Sequence, residues 1–342
     1  MPEIAGHLLS LKKIRLSRLS PHLVPSYNTI MNLKKLGPVF WAIAIFVVAQ
    51  LITFGVASRE NAFLEVNHIY VPPQPPVNIQ IWPTPLPPPP AGETPAPAVG
   101  SLGPIIIYFA AVIVVLGIAL FLVPISALKL LLRLIFAFLF TWGIFIISIF
   151  WLPLVATVVI SVAIGAAWFL FPRVWLHNLA MVLVMVSLGA VFGRLLSPWT
   201  AMALMAVLAV YDFLAVRFGY MMWMTKRLSQ SVTLPAFVIP KQVSEWNSSL
   251  RERGVTELVD EDPIERKYSI LGGGDIGFPL LLTTSVYFAY GLGSGVFLAA
   301  ASLIGLIAAY WIQSAFLKGK AIAALPPIAV LSLIALTIIR FR

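Results

Sequence analysis

The chain has 342 residues, 60% of them apolar and 11% charged, with no cysteine and a net charge of +10. Together with a strongly positive mean hydropathy, these proportions exclude an ordinary soluble domain and indicate an all-α, polytopic membrane protein. The missing cysteine excludes disulfides, thiolate metal sites and a cysteine nucleophile. The basic residues flank apolar runs, so their partners are anionic membrane lipids and the topology machinery, not nucleic acid.

Residues 1–35 set Lys12, Lys13, Arg15, Arg18, Lys34 and Lys35 among leucines. Two readings fit: a basic amphipathic helix on the cytoplasmic membrane face, or a disordered basic tail. A first span is expected at about 37–58. Its basic prelude is like that of a signal peptide, but about twenty apolar residues exceed a typical h-region. Residues 59–102 are proline-rich, as in Trp82-Pro-Thr-Pro-Leu-Pro-Pro-Pro-Pro90. Such a segment belongs outside the membrane as polyproline II or irregular chain, a spacer before it is a peptide-docking element.

Further spans are expected near 103–123, 134–152, 154–171, 176–193 and 198–217, each close to the length that crosses about 30 Å of hydrocarbon. Residues 218–268 form a loop of mixed charge in which Leu234-Pro-Ala-Phe-Val-Ile-Pro240 is apolar but too short to span. Spans near 269–290, 292–316 and 321–340 complete nine. The chain thus divides into a basic segment (1–35), spans one to six (36–217), a cytoplasmic loop (218–268) and spans seven to nine (269–342). Nineteen Lys and Arg fall on the N-terminal side of the membrane and four on the other, which predicts a cytoplasmic N-terminus and an external C-terminus.

Of thirteen acidic residues, two stand inside expected spans: Asp212, in Val210-Tyr-Asp-Phe213, and Asp275, in Leu271-Gly-Gly-Gly-Asp-Ile-Gly-Phe-Pro279. The other eleven, Glu60 among them, read as tail or loop residues. An ionisable group at bilayer depth is costly, so it reads as functional by default. With span seven counted from Tyr268, helix rise puts Asp212 roughly 7 to 8 Å and Asp275 roughly 10 Å inside the same cytoplasmic boundary. Ala323-Ala-Leu-Pro-Pro327 falls at roughly 6 to 10 Å by the same rise. Read as interior to span nine, Pro326 and Pro327 free the carbonyls of Ile322 and Ala323; Pro279 frees that of Asp275. Gly272, Gly273, Gly274 and Gly277 weaken span seven around its carboxyl. Taken singly, the glycines could serve packing, the prolines a kink and each aspartate a structural bond. Their coincidence at one depth points to a hydrated pocket open to the cytoplasm.

Two adjacent carboxyls cannot both ionise cheaply, so they share a proton. One can take a proton from a bound water while the other donates to a carbonyl oxygen, passing through a gem-diol with no acyl-enzyme. This chemistry uses no cofactor and no metal.

Tyr211-Asp212 in span six, Gly-x-Gly-Asp at 272–275 in span seven and Ala324-Leu325-Pro326 in span nine, taken in that order, resemble the presenilin and signal peptide peptidase family of GxGD-type intramembrane aspartyl proteases. The resemblance implies that Asp212 and Asp275 are the catalytic pair. It further implies that Tyr211, Gly272, Gly274, Ala324, Leu325 and Pro326 shape the site and help bind substrate. Family members cut transmembrane helices of other proteins, which must unwind locally; strand pairing beside the GxGD span would hold the unwound segment. Ala323 departs from the family's first proline, Pro327 is additional, and the proline-rich loop is not part of the pattern. The cytoplasmic N-terminus matches the presenilin orientation and opposes that of signal peptide peptidase. Short connections suit a prokaryotic homologue in a cell membrane.

The rival reading is an ion- or proton-coupled transporter or channel built on the paired aspartates, since broken helices beside charges also mark transporters. No internal repeat supports it. A serine protease is disfavoured because none of His7, His22, His68 and His177 reads as lying within a span. A zinc protease is disfavoured because no His-Glu-x-x-His occurs.

Overall fold

The computed structural model describes residues 27–67, 69–70, 79, 94–95, 101–219, 233–250, 267–316 and 323–341. Most of the basic segment, most of the proline-rich stretch and the acidic part of the 218–268 loop lie outside them.

Nine helices follow in order among the described residues: α1 (Tyr27–Val66), α2 (Leu102–Leu122), α3 (Ile125–Ser148), α4 (Leu154–Leu170), α5 (Val174–Leu195), α6 (Pro198–Arg217), α7 (Gly274–Tyr290), α8 (Leu292–Phe316) and α9 (Leu325–Phe341). Six of them, α1, α2, α3, α5, α6 and α8, are long and apolar enough to cross a membrane. The other three have 17 residues each. At 1.5 Å per residue that is about 26 Å, near the thickness of the hydrocarbon layer.

α5 lies at the centre. Its small residues admit α7 closely: a Cβ on Gly193 would meet the Thr284 Cβ at 2.5 Å, and one on Gly189 the Leu280 Cβ at 2.8 Å. This is the small-residue packing expected where lipid supplies no hydrophobic drive between helices. α8 and α9 also meet closely. A Cβ on Gly305 would stand 2.6 Å from the Ile328 Cα, and the hydroxyls of Ser302 and Ser332 bond at 2.8 Å. On the other flank of α5, the wholly buried Trp168 of α4 meets Phe140 of α3 edge-on at 4.8 Å.

The departures from the sequence reading concern where helices begin and end. α1 continues to Val66, past the expected end at Ser58. Glu60 therefore sits on a helix and is buried, not in a loop. It pairs with Arg194 of α5, Nε to Oε1 at 2.6 Å, and Arg194 also bonds Asn61 and lies 3.8 Å from the Phe288 ring of α7. The helix was read short because Ser58-Arg-Glu-Asn61 looks like solvated loop, whereas Ala62-Phe-Leu-Glu-Val66 carries good helix formers beyond it.

Span seven does not begin at 269. Tyr268–Gly272 is a strand, β4, antiparallel to β3 (Ala236–Pro240), with Phe237 opposite Leu271 and Ile239 opposite Ser269. A second pair, β1 (Ile69–Tyr70) and β2 (Thr94–Pro95), is parallel and only two residues long. Short apolar runs such as Tyr-Ser-Ile-Leu fit strand and helix alike, and periodicity alone cannot separate them. α7 starts only after the glycines.

Span nine likewise begins at Leu325, which puts Pro326 and Pro327 in the first turn of α9. A first-turn amide has no intrahelical acceptor, so these prolines break nothing and preset φ for the helix start. Pro279 differs, since it lies inside α7, where its missing N–H leaves the Asp275 carbonyl without an i+4 donor.

Candidate functional site

Asp212 stands on α6, five residues before its end at Arg217. The chain at Leu325 turns into α9 beside it, and the Leu325 N–H, among the first unpaired donors of that helix, points to Asp212 Oδ2 at 3.4 Å. A helix N-terminus presents such donors and a partial positive charge to an anion; at this distance the bond is a long one. Asp212 is half-buried, and neighbouring Tyr211 is 37% exposed.

Asp275 is the second residue of α7. The route from Tyr268 to it is a strand and a glycine turn, so the depth expected from helix rise does not apply to it. The backbone N–H of Gly272, the last residue of β4, stands beside its carboxyl. A Cβ on Gly272 would fall 3.0 Å from Asp275 Oδ2, so glycine here lets strand and carboxyl approach. Gly273 is hemmed in by the Pro235 carbonyl, which its own N–H bonds at 3.0 Å, and by Met181 of α5. Gly274 is exposed.

Asp212 on α6 and Asp275 on α7 stand near enough for their charges to interact. Tyr310 of α8 interacts with Asp275 as well. Among the described residues no lysine or arginine partners either acid. Leu325 is buried at the site, with Ala324 buried and Pro326 half-buried beside it. No cluster of three or more His, Asp or Glu among the described residues is placed to hold a metal ion.

Sequence reasoning missed three contributors. Tyr310 is a lone phenol in an apolar helix, which was the available signal. Met181 and Met185 of α5 pack against the glycines, Met185 Sδ standing 2.8 Å from where a Gly277 Cβ would be; nothing in their spacing distinguishes them from core. His177 needs a correction. It does lie in a helix, in the first turn of α5, fully buried, with Nε2 3.0 Å from the Ala236 carbonyl. The span expected near 176–193 already contained it. The His177 ring holds the Ala236 carbonyl of β3, and among the described residues no nucleophile bonds to it.

The profile of the family described as signal-peptide peptidase, presenilin aspartyl protease matches residues 88–340. The chain belongs to that family. It is accordingly an intramembrane aspartyl protease, a hydrolase, and the transporter reading falls away. A solved structure described as a presenilin family intramembrane aspartate protease, in space group C222, matches with a TM-score of 0.54 at 18% identity, over 88% of this chain and 98% of that one. A second so described, in space group P2, gives 0.50 at 16%, over 87% and 96%. At such identities these two establish the shared fold. No curated protein sequence matches significantly.

Proposed function

We propose that this presenilin-family protease hydrolyses peptide bonds within transmembrane segments of other membrane proteins, with Asp212 and Asp275 as a general acid/base pair acting on a bound water. The observation that carries the reading is the electrostatic coupling of two carboxyls from separate helices, with backbone N–H groups beside them and, among the described residues, no lysine or arginine partner. Two such groups hold one proton jointly. The ionised member draws a proton from the water; the protonated member donates to the scissile carbonyl oxygen as the gem-diol forms. The Leu325 N–H steadies the Asp212 carboxylate, and the Gly272 N–H orients that of Asp275.

β4 supplies the seat for substrate. Its Leu271 and Ser269 face β3, so alternation turns the N–H and C=O of Ile270 to the opposite edge. An unwound segment pairing there lies along the strand that leads to Asp275, the mode of β-strand addition. Tyr211, Gly272, Gly274, Ala324, Leu325 and Pro326 shape this approach. The apolar segments support nine spans, and the charge asymmetry a cytoplasmic N-terminus and an external C-terminus, in what its short connections suggest is a prokaryotic cell membrane.

The test is cleavage of a transmembrane-helix substrate by the purified protein in lipid vesicles. Asp212→Ala and Asp275→Ala should each abolish it, and a hydroxyl-bearing mimic of the gem-diol should inhibit the unsubstituted protein. Turnover that survives either substitution would remove the pair from the mechanism.

A further inference from the structure

β3 has two edges, and both are occupied. The bonds from Gly273 N–H to the Pro235 carbonyl (3.0 Å) and from Lys241 N–H to the Lys267 carbonyl (2.9 Å) show which residues face β4. Alternation in an antiparallel ladder sends the N–H and C=O of Ala236 and Val238 the other way. Among the described residues no strand lies there. The first turn of α5 does: Asn178 Nδ2 donates to the Val238 carbonyl at 2.7 Å, and Val238 N–H donates to Asn178 Oδ1 at 2.9 Å. His177 Nε2 stands 3.0 Å from the Ala236 carbonyl. A primary amide carries the same donor and acceptor as a peptide group, so Asn178 stands in for one residue of a third strand. It is 3% exposed, and water does not compete for either bond.

We propose that Asn178 is a positioning residue that closes the far edge of β3 and thereby fixes the register at which a substrate strand meets Asp275. The proposal rests on the reading that the cleaved segment pairs with β4. The mechanical chain is short. Asn178 grips Val238; the residues on either side of Val238 pair with Leu271 and Ser269 of β4; and β4 passes through Gly272 and Gly273 into the turn that carries Asp275. A hairpin free to slide by the two-residue repeat of a strand would present a different bond to the carboxyls. Held at one point on its far edge, it cannot slide. Closing that edge also leaves β4 as the side on which the hairpin can accept another strand.

The full chain in lipid vesicles gives two readouts. In Asn178→Ala, hydrogen exchange of the 236–240 and 268–272 amides should accelerate about tenfold or more, with α3 and α4 unchanged. Cleavage of a transmembrane-helix substrate, mapped by mass spectrometry of the products, should spread from the wild-type bond to bonds about two residues away. Asn178→Asp is isosteric, keeps the acceptor for Val238 N–H and sets an oxygen against the Val238 carbonyl; it should fold and show a smaller spread. A merely structural role would lower turnover at an unmoved cut site. Wild-type cleavage together with an unmoved cut site in both variants overturns the proposal. A wild-type protein that cuts no transmembrane-helix substrate overturns instead the reading beneath it.

Discussion

The two ends of α7 treat buried acids in opposite ways. Near its C-terminus, Phe288 lies against Arg194, which holds Glu60 in a 2.6 Å ion pair with little exposure of either side chain. At its N-terminus, Asp275 has another acid, a tyrosine and a backbone amide for company. About thirteen residues, or roughly 20 Å of helix, separate the two arrangements. An acid whose task is to hold helices together is given a cation. The acid proposed to exchange protons has weaker donors, so that neither protonation state is locked in.

The largest expected effect breaks the contrast at the aspartates. Asp212→Asn or Asp275→Asn should lower the cleavage rate by a factor of about 10² to 10⁴ or more, with helix content by circular dichroism and the unfolding midpoint unchanged. Glu60→Gln should do the reverse. It leaves the Arg194 charge buried without its partner, and should lower stability by about 3 kcal/mol or less in a thermal or denaturant unfolding series, with cleavage per folded molecule preserved. Loss of activity in Glu60→Gln at unchanged stability would erase the distinction between the two ends.

Smaller effects sharpen it. Leu325→Pro deletes the N–H aimed at Asp212 at the helix position that best tolerates proline. Loss of a hydrogen bond to a charged group is worth about 1.5 to 3 kcal/mol, so single-turnover rates should fall about 10- to 100-fold. Gly272→Ala places a methyl group 3.0 Å from Asp275 Oδ2 and should cost about tenfold in rate, an energy of about 1.4 kcal/mol. Gly277→Ala meets only the flexible side chain of Met185, at Sδ and Cγ, and should cost less than Gly272→Ala in the same assay.

The aspartates were legible because their surroundings are apolar over many residues, a signal that does not depend on helix boundaries. The order of nine helices was legible for the same reason. What the sequence concealed lies at helix ends. Ser58-Arg-Glu-Asn61 looked like loop because its composition is polar, yet Glu60 and Asn61 both meet Arg194 between α1 and α5. Tyr268–Gly272 was counted into span seven because an apolar pentapeptide carries no period of its own; only pairing with β3, more than thirty residues earlier, makes it a strand. Pro326 and Pro327 were read as breaks because their position within α9 depends on where the helix starts. Asn178 gave no sign at all, since an asparagine after a helix start has many uses and its partner lies 60 residues away.

The backbone contact between Gly305 and Ile328 has a mechanical corollary. Because α8 and α9 touch main chain to main chain there, and again through Ser302 and Ser332, the two form one stiff bracket. Its two arms carry Tyr310 toward one acid and the Leu325 amide toward the other. A swing of this bracket would release both together, so bulk introduced at residue 305 should act on both aspartates from within the α8–α9 seam.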